Sequence, residues 1–260
     1  MFLAIDIGNT NIAAALIEND CISVSGRLET GRLDEPAWQN GLDSLFAGQP
    51  GWPQALEGAI VSSVVPAVTD ALLSLLRSQM NVEPLLVGAP GVELGIKVDI
   101  ERPEEAGSDR IVNAVAGWQR YGEPLIIVDF GTATTCDVVG ADGSYQGGVI
   151  APGINLSLKA LYDGSARLPE IDVAPPESGK VIGKNTVEAM RSGIYWGYVG
   201  LIEGLIARIH AEAGPAKVIA TGGLAPLFSD RIPIIEATHE YLTLEGLAYI
   251  YKLNTGGADN

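Results

Sequence analysis

The chain opens with short apolar runs that are separated by turn residues. The runs cover residues 2–6, 12–17 and 21–27, and Gly8-Asn9-Thr10 and Glu18-Asn19-Asp20 lie between them. Runs of this length bounded by Gly, Asn and Asp are typical of β-strands joined by tight turns. The pattern therefore predicts an antiparallel meander of three strands at the start of the chain.

The rest of the first half predicts alternating helices and strands. Residues 35–47 have the periodicity of a helix, whereas the continuous apolar run 59–65 is typical of a buried strand. Pro66 stands where a proline commonly begins a helix, and a further strand is predicted over residues 85–87. This half of the chain therefore predicts a meander followed by alternating helix and strand.

The second half repeats this order. A second meander is predicted from residue 125 to residue 150, and it is followed by a helix over 186–213, a strand over 217–220 and a helix over 244–253. Because the same order of elements occurs twice, the sequence predicts an α/β fold of two similar lobes. We place the N-terminal lobe at residues 1–120 and the C-terminal lobe at residues 121–260.

Composition and charge narrow the class of protein. The 260 residues are 47% hydrophobic and carry a formal net charge of −16, which argues against a nucleic-acid partner because a polyanion would be repelled. No apolar run reaches the roughly 18 residues of a membrane span, and the first residues lack the basic region of a signal peptide. We therefore expect a cytoplasmic protein that has no membrane partner.

The two cysteines lie in apolar segments that are predicted to be strands. Residues of this kind inside strands are commonly reduced and buried. We therefore predict that Cys21 and Cys136 are core residues, and not a disulfide or a metal site.

A candidate phosphate-binding hairpin occurs once in each half. Each copy has an apolar strand, then Asp-x-Gly, then small hydroxyl or amide residues. The residues concerned are Asp6, Gly8, Asn9, Thr10 and Asn11 in the first half and Asp129, Gly131 and Thr132 in the second. Glycine lets the backbone approach a phosphate, and the neighbouring side chains and N–H groups donate to its oxygens. One copy alone is compatible with an ordinary turn, but the repeat with the same apolar flanks predicts duplicated lobes that bind a nucleotide.

The carboxylates of these hairpins suit metal ions. A carboxylate repels phosphate, so we predict that Asp6 holds a hydrated Mg²⁺ and that Asp129 binds a metal or a monovalent cation. A third candidate, Thr221-Gly222-Gly223, follows an apolar strand. Its flat glycine backbone is suited to a base or ribose, although a plain strand-to-helix turn gives the same pattern.

Asp109 is the candidate general base. The apolar spacing that follows it predicts a helix whose N-terminus lies at Ser108 or Asp109, so the carboxylate could equally serve as a helix cap. The two histidines, His210 and His239, do not neighbour a candidate nucleophile, which makes histidine catalysis improbable. The sequence also lacks a P-loop, an H-E-x-x-H motif, a C-x-x-C pair and an EF-hand loop.

These motifs resemble those of a known superfamily. The two Asp-x-Gly hairpins and the late Gly-Gly are similar to the phosphate 1, phosphate 2 and adenosine motifs of the sugar kinase, Hsp70 and actin superfamily. More narrowly, the chain resembles type III pantothenate kinases through DIGNTN at 6–11, GSDR at 107–110, DFGTATT at 129–135, GGVIAPG at 147–153 and GKNTVEAMRSG at 183–193. The resemblance implies two lobes of the actin-like, ribonuclease H-like type, each a mixed sheet with flanking helices, and an ATP cleft between them.

The same resemblance implies a reaction and its partners. It implies ATP-dependent phosphorylation of pantothenate to 4′-phosphopantothenate, the first step of coenzyme A biosynthesis, in a homodimer whose substrate site lies near the subunit interface. Asp109 would be the general base, Asp129 would bind K⁺ or NH₄⁺, and Mg²⁺ would bridge the ATP phosphates. The ATP-binding residues would be Asp6, Gly8, Asn9, Thr10, Asn11, Gly131, Thr132, Gly222 and Gly223, and the substrate-binding residues would be Ile100, Gly107, Ser108, Asp109, Arg110 and Thr186.

The chain departs from the family pattern just before GSDR. The family commonly has a Tyr and an Asn-Pro in this segment, whereas Ile100 and Arg102 stand at those places here. The missing tyrosine hydroxyl removes one substrate contact, and Arg102 either supplies a cation for the substrate carboxylate or is a surface residue. Two alternatives therefore stay open: a kinase of the same fold that acts on another small alcohol, and a nucleotide-binding regulatory protein without catalysis.

Overall fold

The computed structural model describes residues 1–32 and 35–256. The chain divides into two compact units, the first formed by Met1–Gly122 together with Tyr241–Asn260 and the second by Glu123–Glu240.

The strands are β1 (Phe2–Ile7), β2 (Asn11–Glu18), β3 (Cys21–Glu29), β4 (Gly58–Ser63), β5 (Pro84–Leu86), β6 (Leu125–Phe130), β7 (Ala133–Val139), β8 (Tyr145–Pro152), β9 (Lys217–Thr221) and β10 (Ala237–Thr238). The helices are α1 (Glu35–Phe46), α2 (Pro66–Met80), α3 (Ser108–Tyr121), α4 (Ile154–Asp163), α5 (Thr186–Ala213), α6 (Ala225–Ser229) and α7 (Leu242–Thr255).

The two units contain sheets of the same topology. The first sheet has the strand order β3-β2-β1-β4-β5 and the second the order β8-β7-β6-β9-β10. In each sheet the first three strands pair antiparallel as a meander, and the last two join in parallel. The predicted pair of similar α/β lobes, each a mixed sheet with flanking helices, is therefore confirmed.

The repeat extends to the register of individual residues. Asp6 on β1 pairs with Ala13 on β2 and with Ser62 on β4. Asp129 on β6 pairs in the same way with Thr135 on β7 and with Thr221 on β9. The two Asp-x-Gly segments therefore occupy equivalent places in the two sheets.

Alternation along the strands explains how the first sheet is packed. Leu3, Ile5 and Ile7 of β1 are fully buried in one hydrophobic core with residues of α1 and α2, including Trp38 and Leu72. Residues two apart on a strand share a face, so Asp6 lies on the opposite face from these side chains. The first sheet therefore buries one face under α1 and α2 and leaves the Asp6 face for polar groups and for α3 and α7.

The last helix belongs to the first compact unit. Helix α7 packs on α3 and on β1 in the first unit, although it follows the second unit in sequence. The ring of Tyr251 stacks on Phe2 with centroids 4.0 Å apart, and Thr243 Oγ1 donates to Asn113 Oδ1 at 2.7 Å. The predicted lobes were residues 1–120 and 121–260, and α7 packs in the first unit because it buries its apolar face there.

The long helix α5 supplies much of the second core. Its predicted span, residues 186–213, is confirmed. Tyr195, Tyr198 and Val199 are buried, and Ile194 and Trp196 pack partly buried against the same cluster. The aromatic residues of this helix are therefore mainly core residues.

The cysteine prediction is right for one residue and wrong for the other. Cys136 is buried on β7, whereas Cys21 is exposed because it begins β3 directly after the turn at Asn19 and Asp20. Burial, and secondarily the charge of Asp137, raises the pKa of the Cys136 thiol to about 12. Because the folded protein favours the neutral thiol, the contribution of this group to the free energy of unfolding is complete below pH 9. That contribution is lost as the pH rises towards 12.

We expect the two thiols to differ in reactivity at pH 8. Cys21 should react quickly with a disulfide reagent such as dithiobis(nitrobenzoate), because it is exposed, while Cys136 should not react in the folded protein. Titration should give one fast equivalent for the native protein and two after unfolding in guanidinium. Two fast equivalents in the native state would contradict the assigned burial of Cys136.

Within residues 1–32 and 35–256, the helices are all too short or too polar to cross a membrane.

Candidate active site

The first hairpin joins β1 to β2 at a tight turn. The Gly8 N–H donates to the Asn11 carbonyl at 3.0 Å, which closes the turn. Asn9, Thr10 and Asn11 are exposed at the tip, and Asp6 is half-buried where β1 ends. Polar side chains and backbone thus meet at one tip, as a phosphate site requires.

Thr30 supports this tip and was not predicted from the sequence. Its hydroxyl donates to the Gly8 carbonyl at 2.7 Å, and its N–H donates to the Thr10 carbonyl at 3.0 Å. Thr30 is buried although it follows the exposed end of β3. Two bonds from Thr30 to the turn therefore hold the hairpin in one conformation.

We expect Thr30→Val to weaken ATP binding. Valine keeps the shape of threonine but cannot donate to Gly8, which costs about 1 kcal/mol of stability and loosens the turn. The KM for ATP should rise several-fold while Thr30→Ser, which retains the hydroxyl, stays close to the wild type. An unchanged KM for ATP in Thr30→Val would show that the turn does not need this support.

The second hairpin has the same construction. The Gly131 N–H donates to the Ala133 carbonyl at 3.1 Å, and Gly131 and Thr132 are exposed at the tip. Asp129 is half-buried near the end of β6. The two predicted hairpins therefore share their turn geometry as well as their sequence.

Gly222 brings the third predicted motif next to Asp129. Thr221 is the register partner of Asp129, and Gly222 follows with a positive φ of 94°. A Cβ at position 222 would lie 2.5 Å from Asp129 Oδ1 and 2.7 Å from the backbone of Phe130. Only glycine fits at position 222, because the backbone there approaches Asp129 and Phe130 closely and has a positive φ. Gly223, the next residue, is exposed.

The GSDR segment forms the first turn of α3. Gly107 is the N-cap, and Asp109 Oδ1 accepts the backbone N–H of Arg110 at 2.8 Å. A Cβ at Gly107 would lie 2.6 Å from Asp109 Oδ1, so this glycine leaves the space that the carboxylate occupies. The carboxylate therefore lies against the start of its own helix, and Arg110 beside it is half-buried.

A pair of serines joins GSDR to the first hairpin strand. The hydroxyls of Ser62 and Ser108 are 2.9 Å apart, and Ser62 is the register partner of Asp6. Ser62 therefore connects the strand that pairs with the Asp6 strand to the first turn of the helix that carries Asp109. The first unit thus combines a candidate phosphate hairpin and a candidate base.

The segment that departs from the family pattern lies partly at the surface. Arg102 is exposed and its Nη1 lies 2.7 Å from Glu105 Oε1, which supports the surface alternative over a substrate cation. Ile100 is half-buried. Neither side chain replaces the missing tyrosine hydroxyl.

Thr186 lies at the start of α5 beside a cavity in the second unit. The cavity has a volume of about 520 Å³ and is lined by Glu177, Asn185, Thr186, Val187, Glu188 and Arg191. Asn185 caps the helix by accepting the Glu188 N–H at 2.9 Å. Arg191 pairs with Glu177 at 2.7 Å, and this hydrogen bond is the main reason that the pKa of Arg191 is raised. The exposed Thr186 hydroxyl therefore stands at the rim of a polar cavity.

The oxygen donors at the two hairpins suit hard cations. Asp6 and Asp129 each place a half-buried carboxylate beside a turn with exposed polar groups. Mg²⁺ and K⁺ both prefer oxygen ligands, so the donor chemistry fits either ion. In the described part of the chain, no three His, Cys, Asp or Glu side chains are grouped so that they could hold a metal ion.

The fold and the hairpins together define a class of protein. Two mixed sheets of one topology, each with an Asp-x-Gly hairpin after its first strand, are the fold of sugar kinases and actin-like ATPases. A ROK family glucokinase from Streptomyces griseus, solved in complex with glucose and AMPPNP, has this fold with a TM-score of 0.55, 13% identity, and coverage of 98% of this chain and 99% of its own.

The narrower family follows from the sequence relatives. The family model for type III pantothenate kinase matches residues 2–208. The type III pantothenate kinases of Paramagnetospirillum magneticum and Rhodospirillum rubrum are 49% and 48% identical to the chain, of which each alignment covers 98%, together with 98% and 99% of the relative. The chain belongs to the type III pantothenate kinase family, and it is a kinase.

Proposed function

We propose that this protein transfers the γ-phosphoryl group of ATP to the primary hydroxyl of pantothenate, giving 4′-phosphopantothenate and ADP. Membership of the family supports this reaction, which is the first step of coenzyme A biosynthesis. The structural observation that supports it most strongly is the hydrogen bond between Ser62 and Ser108. That bond supports the proposal because it connects Ser62, the register partner of Asp6, to Ser108, which precedes the candidate base Asp109.

Asp109 accepts the proton of the attacking hydroxyl in this proposal. The alcohol oxygen then forms a bond to the γ-phosphorus while the bond from that phosphorus to the β-phosphate oxygen breaks, and ADP leaves. Phosphoryl transfer passes through a loose transition state, so the position of the hydroxyl matters more than the strength of the base. A carboxylate fixed at a helix N-terminus is suited to that task.

The two hairpins bind the phosphates of ATP. The side chains of Asn9, Thr10 and Thr132 donate to phosphate oxygens and stabilise charge on the transferred group, while Gly8 and Gly131 close the two turns with their own N–H groups and let the backbone approach the phosphates. Gly222 and Gly223 provide the flat backbone for the adenosine. Asn11, at the start of β2, completes the polar tip of the first hairpin.

Two cations complete the site. Asp6 would hold Mg²⁺ and Asp129 would hold K⁺ or NH₄⁺, each with its carboxylate oxygens. When bound, Mg²⁺ neutralises charge on the ATP phosphates. Because the reaction uses ATP, Mg²⁺ and K⁺, we place the enzyme in the cytoplasm.

The pantothenate-binding residues in this proposal are those of the GSDR segment, together with Ile100 and Thr186. Gly107, Ser108 and Arg110 contact the substrate at the start of α3, Thr186 contacts it at the start of α5, and Ile100 provides apolar contact in place of a tyrosine. Arg110 provides a cation for the substrate carboxylate.

We further propose that the enzyme is a homodimer. Large apolar side chains are exposed on β8, α4 and the segment before α5 in the second unit, and they include Ile150, Leu156, Leu161, Val181 and Ile182. Ile182 is 74% exposed and lies four residues before Thr186. An apolar surface of this kind is typical of a subunit contact, and light scattering should give twice the mass of the chain.

A coupled ADP-release assay tests the reaction. Purified protein with ATP and Mg²⁺ should release ADP when pantothenate is added, and the rate should rise when K⁺ replaces Na⁺.

A panel of polyols in place of pantothenate tests the alternative acceptor. Faster turnover of a polyol would identify a kinase for another alcohol, and nucleotide binding with no turnover of any acceptor would identify a regulatory protein.

A further inference from the structure

The hydroxyl group of Ser108 makes three hydrogen bonds to strand β4. It donates to the Ser63 carbonyl at 3.0 Å, accepts the Ser63 N–H at 3.0 Å, and lies 2.9 Å from the Ser62 hydroxyl. A serine hydroxyl has one proton and two lone pairs, so Ser62 must be the donor if all three bonds are made. The Ser108 hydroxyl is then fully used by the protein, and only the backbone of Ser108 is left for a substrate.

The first turn of α3 is joined to β4 through Ser108, whereas the rest of the helix packs on α7 through its buried apolar face. A serine at a helix N-terminus usually bonds to its own first turn, but Gly107 and not Ser108 is the N-cap, and no side chain caps the helix. Between the end of β5 at Leu86 and the start of α3 the chain contains one short 3₁₀ turn, Pro103–Glu105, and a single β-bridge residue, Val98. The bonds from Ser108 to β4 fix the first turn of α3, in which Asp109 is the next residue.

The anchor on β4 is itself held firmly. Ser62 is fully buried and is the register partner of Asp6. Ser63 Oγ accepts the Val65 N–H at 3.1 Å and the Thr69 hydroxyl at 2.6 Å, and these bonds tie the end of β4 to the first turns of α2. Hydrogen bonds therefore connect α2 to β4 and β4 to α3, the helix that carries Asp109.

We infer that Ser62 is a positioning residue, which holds the α3 helix through the Ser108 hydroxyl so that Asp109 stays at a fixed place beside the Asp6 strand. The inference rests on the proposed function, since it concerns the base of that reaction. Ser62 acts through Ser108 and Asp109 and does not itself touch the substrate.

Kinetics of Ser62→Ala test this inference. Loss of the donor should shift the carboxylate and lower kcat about tenfold, with the KM for ATP unchanged, because Ser62 is not part of the hairpin turn. Ser62→Thr keeps the hydroxyl and should restore most of kcat; threonine already occupies the equivalent register position, Thr221, in the second sheet.

Ser144→Ala is the matched control, because Ser144 is equally buried and bonds to Asp142 at 2.6 Å in the other unit, so its loss should leave kcat unchanged.

A double mutant separates positioning from general destabilisation. In the Asp109→Asn background, Ser62→Ala should lower kcat by less than about twofold, because its effect passes through the carboxylate that is already lost. The full tenfold loss in that background, or a kcat for Ser62→Ala equal to that of the wild type, would overturn the inference. A wild-type enzyme that is inactive on pantothenate would instead overturn the proposed function, so the two failures are distinguishable.

Discussion

Replacing Asp109 by Asn should lower kcat for pantothenate by about 10²–10⁴-fold, the usual contribution of a general base. Asparagine has the same shape, and its side-chain oxygen can still accept the Arg110 N–H that Asp109 Oδ1 accepts at 2.8 Å. The helix start should therefore remain intact while the proton acceptor is lost. Because the hairpins are unchanged, ATP affinity should stay close to that of the wild type, as measured by calorimetry or fluorescence.

The same substitution at Asp70 is the matched control for Asp109. Asp70 is exposed on α2 in the same unit, and Asp70→Asn should leave both kcat and ATP affinity unchanged. A kcat for Asp109→Asn within about twofold of the wild type would mean that Asp109 only caps α3 and that another group accepts the proton.

Replacing Gly222 by Ala should damage both stability and nucleotide binding. The residue has a φ of 94°, and an added Cβ would lie 2.5 Å from Asp129 Oδ1. Backbone strain of this kind costs of order 1–3 kcal/mol, and the clash must in addition move the Asp129 carboxylate or separate β9 from β6. We expect a clear fall in the free energy of unfolding and a rise of at least about tenfold in the KM for ATP.

Gly48→Ala is the control for Gly222→Ala. Gly48 has no positive φ, and an added Cβ there would meet nothing within 4 Å, so the free energy of unfolding and the KM for ATP should both stay close to those of the wild type. Urea denaturation with steady-state kinetics measures both effects. Wild-type stability together with a wild-type KM in Gly222→Ala would contradict the close approach that the structure gives between Gly222 and Asp129.

The fold could be predicted from the sequence where hydrophobic periodicity was long or repeated. The two meanders and the long α5 were predicted correctly, because short alternating runs and 28 residues of helical pattern leave few alternatives. Helices α4 and α6 were not predicted. Helix α4 has only ten residues with two buried side chains, Ile154 and Leu158, and α6 has only five residues, so neither gives a clear period.

The place of α7 could not be predicted because it depends on long-range packing. Its helical pattern is visible in the sequence, but the stacking of Tyr251 on Phe2 joins the two ends of the chain. An apolar helix face does not specify which sheet it covers. A division of the chain by sequence order therefore assigned α7 to the C-terminal lobe.

The motifs of the candidate site could be predicted, but the residues that support them could not. Asp6, Asp129 and Asp109 stand in recognisable patterns of glycines and hydroxyl residues, whereas Thr30 and Ser62 are single hydroxyl residues in ordinary strand contexts. Their importance comes from hydrogen bonds across 22 residues to Gly8 and across 46 residues to Ser108. Contacts between residues so far apart in the sequence do not produce a recognisable motif around either residue.

Identification of the product tests the central claim most directly. Purified protein should be incubated with ATP, Mg²⁺, K⁺ and pantothenate, and the quenched mixture analysed by mass spectrometry and phosphorus NMR. We predict one phosphate monoester on the primary hydroxyl of pantothenate, formed mole for mole with ADP. ADP formed without phosphopantothenate, or no consumption of ATP at all, would contradict the account.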